Sequence, residues 1–132
     1  MPHLIDSDWV ADWLKGRPDA IQLLSSLGRG ALAISLITFG EIWEGIYFSQ
    51  NAAGHEKVFR QFLRSVEVVS LTRPIQRRFA RIRGELRQRG QLIGDADLLI
   101  AATAIHHRLI LITRNVRRFE RISDLAMYLP NS

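Results

Sequence analysis

The sequence predicts a single α/β domain whose mostly parallel sheet is flanked by helices on both faces. Short, continuously apolar runs such as Leu4-Ile5, Ala31-Leu32-Ala33-Ile34 and Leu109-Ile110-Leu111-Ile112 read as strands buried on both sides. Stretches with helical spacing separate these runs, and strands that alternate with helices argue for a parallel sheet. At 132 residues the chain has the length of one domain, and residues 1–132 show no linker, internal repeat or low-complexity tract.

The elements follow in order. Leu4-Ile5 is a first strand with Asp6 at its carboxyl end. Ser7 or Asp8 caps a helix through about Leu14, whose Trp9, Val10, Trp13 and Leu14 keep helical spacing until Gly16 stops it. Pro18 suits the first turn of a second helix, which ends near Gly28-Arg29-Gly30. A strand over 31–34 precedes a helix capped by Ser35 and running through Phe48. After a loop over 51–54, a helix from about His55 to Leu63 turns Val58, Phe59, Phe62 and Leu63 inward. Val66 to Leu71 reads as a strand, and Pro74 opens a long amphipathic helix with Phe79, Ile82 and Leu86 inward and arginines outward. Gly94 ends the connection, Asp95 to about His106 is helical, 109–112 is a buried strand, and Leu125 to Leu129 adds a last strand.

Composition narrows the chemistry. With 47% hydrophobic and 23% charged residues the chain reads as globular. It has no cysteine, which excludes disulfides and thiolate zinc sites. No apolar run reaches the ~18 residues that span a bilayer, and Met1 to Asp6 lacks the basic start of a secretory signal, so a cytoplasmic protein without a membrane partner is expected. The net charge is +5, and Lys15 and Lys57 are the only lysines, so arginine carries nearly all the positive charge. Its planar fork suits phosphate or carboxylate, which points to nucleic acid or an acidic protein segment as partner.

Against this basic background, certain carboxylates stand where apolar segments end or would otherwise be core. Asp6 ends the first strand, Glu41 lies in the nearly all-apolar stretch Ile34 to Phe48, and Asp97 opens the run Leu98-Leu99-Ile100-Ala101-Ala102. A helix that is apolar nearly all round is normally buried, and an isolated buried charge is very costly. Glu41 and Glu44 share one polar stripe with Thr38, and periodicity does not choose between the two acids. Asp95 and Asp97 are about 200° apart on a helix, so Asp95 reads as the N-cap and Asp97 as a first-turn residue; both border the helix end. Ligand sites of open α/β sheets lie outside the carboxyl ends of the strands, where Asp6 and the turn Thr113-Arg114-Asn115 fall. Two carboxylates about 4 Å apart repel by roughly 4 kcal/mol at an effective dielectric of 20, so a convergent set needs a cation. Oxygen ligands favour Mg²⁺ or Mn²⁺, ions that activate water for phosphodiester cleavage.

Other features point elsewhere. His106 and His107 are adjacent, diverge by about 100°, and suit a helix end better than a metal. Gly28-Arg29-Gly30 lacks the spacing of a phosphate loop. Arg73, Arg77 and Arg81 step along one helix face and read as solvated, whereas Arg114 and Arg117 leave the sheet at its functional edge and suit a phosphate backbone. A phosphoacceptor receiver domain would want an aspartate after the third strand and a lysine near the last; Val68-Val69-Ser70-Leu71 and Leu111-Ile112-Thr113-Arg114 supply neither.

Leu4-Ile5-Asp6-Ser7-Asp8, then Ile34-Ser35-Leu36-Ile37-Thr38 leading to Glu41, then Asp97 to Ala104, then Leu111-Ile112-Thr113-Arg114-Asn115 with Phe119, stand in the order of PIN-domain ribonucleases. The whole chain resembles the VapC-type toxins of toxin–antitoxin pairs, the third and fourth motifs being the specific part. The resemblance implies a PIN-like fold and a Mg²⁺- or Mn²⁺-dependent endoribonuclease, commonly a homodimer neutralised by a cognate antitoxin. It assigns Asp6, Glu41 and Asp97 to the metal, favouring Glu41 over Glu44, with Asp95 or Asp8 as an auxiliary candidate. Many relatives carry an acid where this chain has Asn115, an amide that ligates through oxygen without charge. In the expected reaction a water activated at the ion attacks an RNA phosphodiester, Thr113 and Asn115 orient water or phosphate, and Arg114 and Arg117 hold the RNA. The alternative is a non-catalytic PIN-like module that binds RNA or protein through its arginines.

Overall fold

The computed structural model describes residues 2–28 and 30–129. Four strands, β1 (His3–Ile5), β2 (Leu32–Ser35), β3 (Glu67–Val69) and β4 (Ile110–Ile112), form one sheet in the order β3-β2-β1-β4. All pairings are parallel, with His3 opposite both Leu32 and Ile110, and Ala33 opposite Glu67. Seven helices complete the described residues: α1 (Ser7–Leu14), α2 (Pro18–Ser26), α3 (Leu36–Tyr47), α4 (Ala52–Phe62), α5 (Arg73–Gln88), α6 (Asp95–His107) and α7 (Val116–Phe119).

Successive strand residues point to opposite faces, so each apolar run feeds two cores. Leu4, Ala33 and Leu111 pack with Leu86 of α5, Leu98, Ala101 and Ala104 of α6, and Phe119 of α7. Ile5, Ile34 and Ile112 pack on the other side with Val10, Leu24, Ile42, Ile46, Phe59 and Phe62 from α1 to α4. Fully burying such side chains stabilises the fold by about 1.5–3 kcal/mol each, which locks the sheet between its helical layers. The functional consequence is that the carboxyl ends of β1 and β4 are rigid neighbours.

Several expectations need correction. Asp6, not Ser7 or Asp8, caps α1, because the helix begins directly off the strand end, where Asp6 has extended geometry and its side chain accepts from the Ser7 N–H. The expected loop over 51–54 is shorter, since Asn51 caps α4 by accepting from the Gly54 N–H and the helix starts at Ala52. Gly94 rather than Asp95 is the N-cap of α6 and provides no side-chain bond. A short helix, α7, follows β4 where only a turn was expected. The expected last strand reduces to a single parallel bridge of Met127 to Leu111 at the sheet edge. Finally, α3 is not buried all round: Thr38, Ile42 and Ile46 face inward, while Leu36 and Tyr47 are 42% and 67% exposed.

Candidate active site

Asp6 occupies the carboxyl end of a central strand. Its backbone N–H donates to the Ile112 carbonyl at 2.9 Å, which ties it to the end of β4. Its Oδ1 accepts from the Ser7 N–H at 2.8 Å and its Oδ2 accepts from the Thr113 hydroxyl at 2.7 Å. The residue is 5% exposed. Burial pushes its carboxyl up to about 6; the hydrogen bonds from Thr113 and Ser7 oppose the rise, and the negative charges of Asp8 and Asp97 add to it. Both oxygens are therefore aimed by the fold, in a place that disfavours an uncompensated charge.

Thr113, also buried, joins two motifs: its Oγ1 donates to Asp6 and accepts from the Asn115 N–H at 3.0 Å. Asn115 precedes α7 with its own side chain making no capping bond. Its amide remains on the rim of the site.

Glu41 reaches the same edge from α3. Ser7 Oγ donates to Glu41 Oε1 at 2.5 Å and stands 3.2 Å from Thr38 Oγ1. Ser7 thus links the residue after Asp6 to the acid of the next helix. The Glu44 side chain makes no hydrogen bond or ion pair among the described residues. Asp97, in the first turn of α6, is near enough to Asp6 to raise its proton affinity, and its Oδ2 accepts from Arg118 Nη1 at 2.6 Å. Asp95 is directed elsewhere: it pairs with Arg83 of α5 at 2.9 Å, with a side chain 63% exposed.

The two arginines assigned to RNA by position behave differently. Arg114 is bracketed: its Nε donates to Asp12 at 2.8 Å, its Nη2 to Asp19 at 2.9 Å, and its guanidinium lies 3.7 Å from the centre of a Trp9 ring. Its backbone N–H donates to Asp8 Oδ2 at 2.9 Å. These contacts turn the guanidinium onto α1 and α2, while Arg114 also lines the hollow beside Asn115. Arg117 makes no hydrogen bond or ion pair among the described residues and lines a hollow of about 660 Å³ with Asp97, Asn115, Arg118 and Arg121.

Sequence reasoning gave no role to Asp12, Asp19 or Arg118, and gave Asp8 only that of a cap or auxiliary acid. Asp8 holds the β4–α7 turn and is itself pushed up, chiefly by burial, against the backbone hydrogen bonds it accepts from Arg114 and Trp9. Asp12 and Asp19 form the arginine bracket. Arg118 holds Asp97. Helical spacing places Asp8 and Asp12 on one face of α1, a usable signal; nothing local marks Arg118. A second hollow, of about 440 Å³, opens on the other side of the acids between α1 and α3, lined by Asp8, Lys15, Glu41, Ile46, Ser49 and His55. A larger one, about 740 Å³, lies at the amino ends of β2 and β3, away from this chemistry.

With this geometry in place, the likenesses to known proteins are informative. The family model described as PIN domain matches residues 4–125. A ribonuclease VapC2 of Haemophilus influenzae is 30% identical over 125 residues, 95% of each chain. The structure of VapBC2 from Rickettsia felis, bound to a DNA fragment from its promoter, superposes with a TM-score of 0.89 at 27% identity, covering 97% of this chain and 98% of that one. A toxin–antitoxin complex from Klebsiella pneumoniae does so with a TM-score of 0.78 at 30% identity and 97% coverage of both. The family match over residues 4–125 and the 30% identity over 95% of the chain decide it: the chain belongs to the PIN-domain family, among the VapC ribonucleases.

Proposed function

We propose that this protein is an endoribonuclease, the toxin of a toxin–antitoxin pair, that cleaves RNA phosphodiester bonds with a bound Mg²⁺ or Mn²⁺. The observation that carries the proposal is Asp6, buried at the end of β1 with both oxygens directed, a second acid close by in Asp97 and a third, Glu41, joined through Ser7.

The donor chemistry fits a hard cation. All three groups offer carboxylate oxygens, and the raised proton affinity of Asp6 marks a place where negative charge lacks compensation. Among the described residues no three His, Asp or Glu side chains form a ready metal cage, so Asp6, Asp97 and Glu41 would hold an ion partly through water. When bound, the ion would supply an activated water for phosphodiester hydrolysis. The protein's own groups do the positioning. Thr113 keeps Asp6 oriented, Ser7 keeps Glu41 at the edge, and Arg117 offers an unpaired cation to an RNA phosphate in the hollow beside Asn115.

Partner surfaces are consistent with an antitoxin and with a homodimer. Tyr47 and Phe48, adjacent at the carboxyl end of α3, are 67% and 87% exposed and offer an apolar pair to a protein partner. Among the described residues no helix is long and apolar enough to cross a membrane. The test is cleavage of total RNA by the purified chain. We expect discrete new RNA ends with Mg²⁺ or Mn²⁺, and none with EDTA or with Asp97→Asn. Equal cutting in EDTA, or by the Asp97→Asn variant, overturns the proposal; RNA binding without any cleavage favours the non-catalytic module.

A further inference from the structure

Arg118 is the least expected member of the site. Its Nη1 donates to Asp97 Oδ2 at 2.6 Å, the Asp97 side chain is 18% exposed and the Arg118 side chain 50%. The contact joins α7 to the first turn of α6. Phe119, fully buried in the core beside it, anchors α7, while the Arg118 side chain is half-exposed.

The other arginines of the hollow differ. Arg114 is held by Asp12, Asp19 and Trp9, and Arg121 donates to the Gln91 and Leu92 carbonyls at 3.3 and 3.2 Å. Arg117 has no partner among the described residues. Arg118 alone has its charge committed to an acid of the site. Arg118 engages only Oδ2 of Asp97, so the competition rests on charge: a divalent ion on either carboxylate oxygen lies close enough to the guanidinium to repel it.

We propose that Arg118 and a divalent cation are alternative occupants of Asp97, and that Arg118, once displaced, becomes a phosphate-binding group in the basic hollow next to Arg117. This rests on the metal-dependent reading above. Asp97 is then a relay: filling it with the ion frees a cation for the RNA backbone. By linkage, RNA held through Arg118 in turn strengthens ion binding at Asp97 by the same factor. Ion and RNA thereby favour one another's occupancy of the site.

Manganese titration without RNA, read as loss of the free-ion EPR signal, tests the first half. Arg118→Gln is expected to bind Mn²⁺ about three- to tenfold more tightly than wild type, the scale of removing a charged hydrogen bond from a half-exposed pair, with Arg118→Lys between them. Circular dichroism confirms that each variant is folded. Equal or weaker Mn²⁺ binding by a folded Arg118→Gln overturns the competition and leaves the nuclease reading intact. Absence of Mn²⁺ binding by every variant, together with cleavage in EDTA, overturns the metal reading and the competition with it.

RNA binding in EDTA tests the second half. Asp97→Asn releases Arg118 without any ion, so its RNA affinity should rise about threefold or more at low salt. In the double variant Asp97→Asn/Arg118→Gln that gain should vanish. A gain that persists in the double variant is plain removal of negative charge and overturns the phosphate role.

Discussion

Asp6→Asn is expected to stabilise the folded protein while abolishing cleavage. The carboxyl of Asp6 rises from 3.8 to about 6 on folding, chiefly because it is buried. That is a difference of about 2 units, and at about 1.36 kcal/mol per unit it amounts to ~3 kcal/mol of destabilisation once the group is ionised. The sign follows from proton binding. Asp6 is an acid whose folded value lies above its unfolded one, so between 3.8 and about 6 the native state binds more proton than the unfolded chain. Stability therefore falls as pH rises through that window, and the whole cost is present above it. An asparagine is never charged and has almost the same shape. Its Oδ1 accepts from the Ser7 N–H as the carboxylate does, and its Nδ2 donates to Thr113 Oγ1, whose second lone pair is free beside the Asn115 N–H. Imperfect reuse of these bonds reduces the gain to ~1–3 kcal/mol near neutral pH. The assay is urea unfolding in EDTA at about pH 7.5, 5.5 and 4.5, with the gain largest at the highest pH and shrinking toward the lowest. Adding Mn²⁺ should then raise the stability of wild type and not of the variant. A variant no more stable than wild type near neutral pH, or a gain equal at all three pH values, refutes the reasoning.

The two neighbouring arginines should separate cleanly. Arg114→Ala removes two ion pairs and the stacking on Trp9, costing about 1–2 kcal/mol in denaturant melts with little change in intrinsic RNA affinity. Arg117→Ala should leave the melt unchanged, weaken RNA binding and lower the salt slope by about one, the signature of a lost phosphate contact; the reverse pattern for this pair would contradict their assignments. Thr113→Val deletes a buried hydroxyl that serves Asp6 and Asn115, so stability should drop by about 1–3 kcal/mol and the acidic limb of the pH–rate profile should move upward. An unmoved limb would show that Thr113 does not orient Asp6. Gly84 lies inside α5 with no atom close enough to meet an added Cβ, so Gly84→Ala should raise stability by about 0.5–1 kcal/mol, checked by thermal unfolding.

By itself the sequence determined the class of fold and the edge at which the chemistry sits. Leu4-Ile5, Leu32-Ala33-Ile34 and Ile110-Leu111-Ile112 are apolar throughout and short, as strands buried on both faces are, and their alternation with helical stretches made a covered parallel sheet legible from local pattern. The same pattern placed Asp6 and Thr113 at the carboxyl ends of strands. The strand order, which only the tertiary structure supplies, makes those two ends neighbours and allows a hydrogen bond across 107 positions of chain. What the tertiary structure decided is which charge meets which. Periodicity assigns a residue to a face but says nothing of where a long, flexible side chain ends. Arg114, four residues from Arg118, folds back onto Asp12 and Asp19, while Arg118 reaches Asp97 from a helix that the sequence did not announce. Asp95 and Asp97, two residues apart, divide between Arg83 and the site because a helical turn points them to different sides of α6. The family resemblance favoured Glu41 over Glu44, and it is the Glu41 side chain that Ser7, carried there by a different helix, holds at the edge. Such pairings depend on distances between elements, and only packing sets those distances.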